Sequence, residues 1–237
     1  MLGKYHILIT LLLVLPFLKF FNLSLVLLIL ISGLITGSLL PDAIDANNSY
    51  LLNIKSKKPL RRLIYFTLRF SGKLTRFTLK PLSWVLKLFF WKLNISHRGL
   101  WHSLLGILII SFNWLIISLL LSVYLGNSIL FFTMGIFLGC FTHLLQDSFT
   151  VSGINWLYPF NILHLKGKIK TIGESNPNYS KLKFLERNSV IFIYFLLTSL
   201  FITFKFQSFK LTVLAVLIQF LTVKLIFKIK HHSLPSK

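Results

Sequence analysis

Six apolar runs, at about residues 5–21, 23–40, 104–124, 128–146, 188–204 and 211–227, dominate this chain of 237 residues. A helix that crosses the hydrocarbon core of a bilayer needs about 20 apolar residues, within a range of about 17–25, and each run comes near that length. Backbone polar groups in lipid must be satisfied inside the segment, so such runs fold as helices. The chain therefore reads as an all-α polytopic membrane protein with about six transmembrane helices, four at the fewest, forming one membrane-embedded domain over 1–237. The first run is short and carries Pro16, and it reads as one arm of a helical hairpin turning near Lys19 to Asn22. No small-residue cleavage site follows it and a second apolar run begins at once, which argues against a signal peptide.

Charge orients the spans. Lys and Arg total 26 against five acidic residues, a net charge of +21, and charged residues make up only 13% of the chain. A soluble domain carries about a quarter. With six spans, Lys4, twelve basic residues in 41–103, six in 147–187 and Lys224, Lys228, Lys230 and Lys237 fall on one face, against Lys19, Lys205 and Lys210 on the other. Basic loops are retained in the cytoplasm, which places both termini inside the cell membrane. Interleaving of the basic residues with membrane-length runs makes anionic lipid, not nucleic acid, the expected partner. Residues 46–96 form a basic interfacial loop in which Lys and Arg recur among Phe, Leu, Tyr and Trp, as suits helices lying in the headgroup plane. Pro59, Gly72 and Pro81 are expected to break it into short pieces. Residues 148–187 form a second cytoplasmic loop, with Trp156, Tyr158 and Phe160 as an interfacial belt.

The scarce acids and histidines gather at span ends. Asp42 and Asp45 follow the second run, His97 and His102 lead into the third, His143 and Asp147 close the fourth, and His6 starts the first. All seven fall at the cytoplasmic boundary. His143 and Asp147 are four apart and share a helix face, as two ligands to one ion require. Asp42 and Asp45 are three apart. His97 and His102 are five apart, off one face unless Gly99 breaks the lead-in.

Gly33 and Gly37 precede Asp42, and Gly135 and Gly139 precede His143, each pair four apart. Small residues at this interval let membrane helices approach closely, so spans two and four are expected to touch and deliver their acidic ends to one pocket. Ordinary packing unrelated to any site is the plainer reading of the same stripes. Carboxylates drawn together repel unless a cation sits between them. Oxygen and imidazole donors suit zinc, manganese or iron, as one ion or two. A polar network that fixes helix register is the alternative. Cys140 is the single cysteine, so no disulfide and no thiolate zinc site form within the chain.

The segments LLPDAID, SHRGLWHS, GCFTHLLQDSFTVSGINWLYPF and FLERNS, in that order, resemble the YdjM-like family described as membrane-bound metal-dependent hydrolases. That family shows an early His, LPDID, HRGxTHS and GYxSHxxxDxxTxxG. His6, Asp42, Asp45, His97, Arg98, Gly99, His102, Ser103, His143, Asp147, Thr150, Gly153 and Pro159 occupy those positions here, and the likeness runs from residue 6 to about 187. Trp101 stands where Thr is common, and Cys140 where Tyr is common. The family is in turn distantly similar to zinc-dependent phospholipase C and P1 nuclease, which share a His-x-x-x-Asp pair but add a His-x-x-x-Glu element that this chain lacks.

The resemblance and the donor types together imply hydrolysis of an ester or phosphoester on a lipid or lipid-linked substrate by metal-activated water. Asp45 is then the candidate general base, and Arg98 the group that offsets developing negative charge. Arg98 also reads as a snorkelling interfacial residue, and His97 and Asp45 as groups that orient a ligand. Glu186 is a candidate catalytic carboxylate, or simply an acidic residue in the first turn of the fifth span. His164, His231 and His232 read as exposed surface charge. Two other functions fit the same residues: a metal-ion transporter, and a non-catalytic scaffold stapled by metal.

Overall fold

The computed structural model describes residues 3–18, 20, 24–44, 59–89, 99–160, 162–167, 181–226 and 230–232. Eight α-helices run through the described residues: α1 Gly3–Leu18, α2 Leu25–Gly37, α3 Leu40–Ile44, α4 Pro59–Phe89, α5 Leu104–Leu125, α6 Leu130–Ser148, α7 Lys181–Lys205 and α8 Phe209–Ile226. The protein is thus mostly helical. Two stretches, Leu104–Leu125 and Asn127–Ser148, are long and apolar enough to cross a membrane, and four shorter apolar helices accompany them. Leu108, Phe112, Leu119, Leu120 and Val123 of α5 are exposed along its outer surface, an apolar face that hydrocarbon suits better than water.

The expectation of an all-α chain is corrected by a three-stranded antiparallel sheet, β1 Ile154–Asn155, β2 His164–Lys166 and β3 Lys230–His232, in the order β1-β2-β3. His164 pairs with His232 and Leu165 with His231 across β2 and β3, so all three histidines read as exposed surface charge lie in strands of this sheet. A second correction concerns the basic loop. Pro59, Gly72 and Pro81 do not fragment it; α4 is one helix of 31 residues. Pro59 opens it, where its missing N–H costs nothing, and Gly72 faces Ala43 of α3 at a distance a Cβ would fill. A third concerns Glu186, which lies in the second turn of a helix that starts at Lys181, not in the first.

The centre of the bundle is α6, packed along α2. A Cβ on Gly33 would lie 2.2 Å from the Phe132 carbonyl oxygen, and one on Gly37 2.3 Å from that of Ile136. Gly135 and Gly139 meet the Leu30 and Leu34 carbonyls just as closely. Only hydrogen fits at these positions, so the two helices touch backbone to backbone, as the paired glycine intervals predict. Helix α5 runs back along α6, joined by Ser118 Oγ to Thr133 Oγ1 at 2.7 Å. Helix α4 crosses α5, where the Trp114 indole N–H donates to Thr75 Oγ1 at 3.0 Å.

Candidate metal centre

Five of the seven sequence-predicted ligands converge. His6 comes from the first turn of α1, Asp42 from α3, His102 from a single 3-10 turn ahead of α5, and His143 and Asp147 from the end of α6. His6, His102 and His143 are fully buried, Asp147 nearly so, and Asp42 is 8% exposed. Asp45, His97 and Arg98 lie outside the described residues, as does the side chain of Glu186.

The donor separations are regular. His102 Nε2 lies 3.2 Å from Asp42 Oδ1, and His143 Nε2 lies 3.4 Å from Asp147 Oδ2 and 3.8 Å from Asp42 Oδ1. His6 Nε2 lies 3.6 Å from Asp147 Oδ1. Two ligands about 2.0–2.1 Å from one tetrahedral zinc stand about 3.3 Å apart, so these spacings match donors around a shared ion. His6, Asp42 and His143, and also His102, His143 and Asp147, each offer ligand atoms within 4.8 Å of one another.

Orientation of the imidazoles supports the same fit. His143 Nδ1 lies 2.7 Å from the Ser38 carbonyl oxygen, an acceptor that requires the proton on Nδ1. Its Nε2 faces Asp42 and Asp147 and is buried, so it is the nitrogen that a metal ion would meet. Metal-binding histidines are commonly held by just such a backbone acceptor. Both ring nitrogens of His6 are likewise buried without a hydrogen bond, and that ring stacks on His143 with centroids 4.1 Å apart. Three crowded imidazoles and two carboxylates offer the nitrogen and oxygen donors that a divalent cation takes.

Asp42 is ionised in this setting. Burial works against its charged form, but the His143 ring, the hydrogen bond from His102 and the His6 ring outweigh it and hold the carboxyl below the usual carboxylate range.

Residues to which the sequence assigned no role build the support. Ser103 caps α5 by accepting from the Gly106 N–H at 3.1 Å, while its hydroxyl donates to the Leu100 carbonyl at 2.7 Å. A Cβ on Gly106 would lie 1.9 Å from that same carbonyl, so glycine is what lets the His102 turn fold onto α5. Arg76 of α4 donates to the carbonyls of Ala43 and Ile44 at 2.7 and 3.0 Å, securing the last turn of the helix that carries Asp42. Gln146 donates to Thr10 Oγ1 at 3.1 Å and to the His6 carbonyl at 3.3 Å, and Thr10 and Thr142 hydroxyls meet at 2.8 Å. This ladder docks α1 on α6 and sets the height of His6. The i, i+4 recurrence of Thr142 and Gln146 beside His143 and Asp147 is the sequence signal that could have revealed it.

Beyond Asp147 the chain turns into the hairpin. The Thr150 hydroxyl donates to the Asp147 carbonyl at 2.7 Å and accepts from the Gly153 N–H at 3.2 Å. Gly153 has φ +59°, in the left-handed region that glycine adopts without strain. Trp156, one of the aromatic residues read as an interfacial belt, ties the hairpin to the bundle: its indole N–H donates to Ser148 Oγ at 2.8 Å, and its carbonyl accepts the Leu104 N–H at 2.8 Å. The hairpin thereby closes the end of the bundle where the histidines meet.

A mostly helical protein with apolar, membrane-length helices around a buried histidine and aspartate cluster is of the helical membrane class. The chain matches the YdjM inner membrane protein family over residues 1–232 and belongs to it. Neither a curated protein nor a solved structure matches it.

Proposed function

We propose that this protein is a membrane-bound, metal-dependent hydrolase of an ester or phosphoester carried by a lipid or lipid-linked substrate. The carrying observation is the meeting of His6, Asp42, His102, His143 and Asp147 from four chain segments, with His143 Nε2 turned toward both carboxylates by the Ser38 carbonyl's hold on Nδ1. The mixed nitrogen and oxygen donors favour Zn2+, with Mn2+ or Fe2+ as alternatives. Both donor triads draw on His143, and one nitrogen lone pair serves one ion. The described donors therefore suit a single ion; Asp45 and His97 would be the donors of any second.

A divalent ion bound there supplies Lewis-acid polarisation of the scissile bond and acidifies a water molecule. The chain's own groups do the remaining work. Asp45, the residue after Ile44 of α3, accepts the proton of the attacking water; Arg98, four residues before His102, holds the phosphate or developing oxyanion. Glu186 is the further carboxylate candidate. Six spans, with both termini and the centre at the cytoplasmic face of the inner membrane, follow from the distribution of basic residues. Anionic lipid gathered by the basic residues of α4 is the matching partner. Transporters set their ligands near the bilayer midplane, whereas these donors lie at helix ends, which favours hydrolysis over transport.

Elemental analysis of the purified chain, with a phosphoester and phospholipid turnover panel, tests the proposal. About one zinc per chain is expected, lost with turnover in His143→Ala and Asp147→Ala that keep wild-type helicity. A wild-type chain that carries no metal, or metal with no turnover on any lipid ester, overturns it.

A further inference from the structure

One wall of the bundle is hollow. A cavity of about 410 Å³ lies between α2, α4, α5 and the start of α6, lined by Ile35, Thr36, Phe66, Phe70, Leu121 and Phe132 among others. Its volume falls within the range of about 300–1,000 Å³ typical of small-ligand pockets. Most of the polar groups in its walls are already spent. Ser32 Oγ donates to the Ile29 carbonyl at 2.7 Å, Thr36 Oγ1 to the Ser32 carbonyl at 2.9 Å, and Ser118 pairs with Thr133 at 2.7 Å. The Trp114 N–H is taken by Thr75. A polar ligand would find few partners here, whereas a hydrocarbon chain needs none.

Two of the lining residues lie close in sequence to groups that hold the metal centre. Thr36 lines the cavity, and Ser38, two residues further along, holds His143. Ser71 lines it, and Gly72 beside it lies against Ala43, the neighbour of Asp42. Charge lies on the same helix as four of the lining residues, Phe66, Thr67, Phe70 and Ser71. Between Phe66 and Phe70, both well exposed, Arg69 of α4 is half-buried with its Nε unpartnered, and Lys73 is exposed one turn on.

From these we infer that the cavity holds one acyl or isoprenyl chain of an anionic membrane lipid, with Arg69 and Lys73 at its headgroup and the ester or phosphate end directed to the buried cluster. The inference deepens the hydrolase reading and rests on it for the identity of the bound lipid as substrate. The pocket itself makes a prediction that needs neither metal nor turnover.

The test uses the full chain reconstituted in nanodiscs of dibrominated phosphatidylglycerol or dibrominated phosphatidylcholine, since brominated chains quench nearby tryptophan. Trp114 borders the cavity, and subtraction of the Trp114→Phe signal isolates its contribution. Quenching of Trp114 is expected to be stronger in phosphatidylglycerol, to fall to the level of a protein-buried tryptophan in Ser32→Phe and in Leu121→Trp measured with a second Trp114→Phe subtraction, and to lose about fivefold in lipid preference in Arg69→Gln. The two filling variants enter from opposite walls, so misfolding of one, judged by lost metal and helicity, leaves the other to decide. Equal quenching in both lipids, or quenching untouched by filling the cavity, overturns the inference. Loss of the lipid effect in a chain that still binds metal and turns over a soluble ester sinks the cavity alone. Intact cavity quenching in a chain without metal sinks the hydrolase reading alone.

Discussion

A histidine is defined as a ligand by what holds its other nitrogen. Ser38 supplies that hold for His143 through a backbone carbonyl, a contact that no side-chain pattern could announce. Gln146 does comparable work for His6 by bonding the backbone of α1. In Gln146→Leu the two hydrogen bonds vanish and Thr10 keeps only Thr142, so a loss of about 0.5–1.5 kcal/mol is expected, read as a lower denaturation midpoint in detergent. Metal stoichiometry should survive, in contrast to Asp147→Ala, because no donor atom is removed. Arg76→Lys offers the complementary case. One ammonium cannot span the carbonyls of Ala43 and Ile44 as the guanidinium does. Asp42 then loses part of its positioning, and zinc affinity should fall about 10–100-fold in a competition titration with a chromogenic chelator.

At the scale of elements, the glycine stripe on α2 and α6 couples packing to chemistry. A methyl at Gly37 would lie 2.3 Å from the Ile136 carbonyl, so Gly37→Ala forces the helices apart and, with them, the Ser38 carbonyl from His143. The expected cost is about 1–3 kcal/mol, together with weakened metal binding, measured by thermal melts and elemental analysis on one sample. Ser32→Ala, on the same helix but off this contact, should change neither. The stripes, the four-residue His143 and Asp147 pair and the clustering at span ends were all legible, because each is a local spacing on one helix. Continuity of α4 was not. Pro81 carries a local penalty that tertiary contacts override: Thr75 on Trp114, Gly72 on Ala43 and Arg76 on α3 fix the helix through its middle. The sheet escaped notice for a related reason, since β3 finds its partner more than sixty residues back in sequence, near His164.

For the whole molecule, the cluster joins α1, α3, the turn before α5 and α6 at one point. An ion bound only by the folded chain stabilises it by about 4 kcal/mol when present at a thousand times its dissociation constant. Chelator treatment should therefore lower the thermal midpoint of the wild-type chain, and zinc should restore it. His102→Ala, already short of a donor, should show a smaller response to both. The hairpin after α6 has a separate consequence. Strand β2 follows α6, strand β3 follows α8, and the two are hydrogen-bonded. Paired strands of three residues must share one aqueous compartment, so whatever crossings the chain makes between them are even in number, a parity fixed by hydrogen bonds and independent of any hydropathy scale.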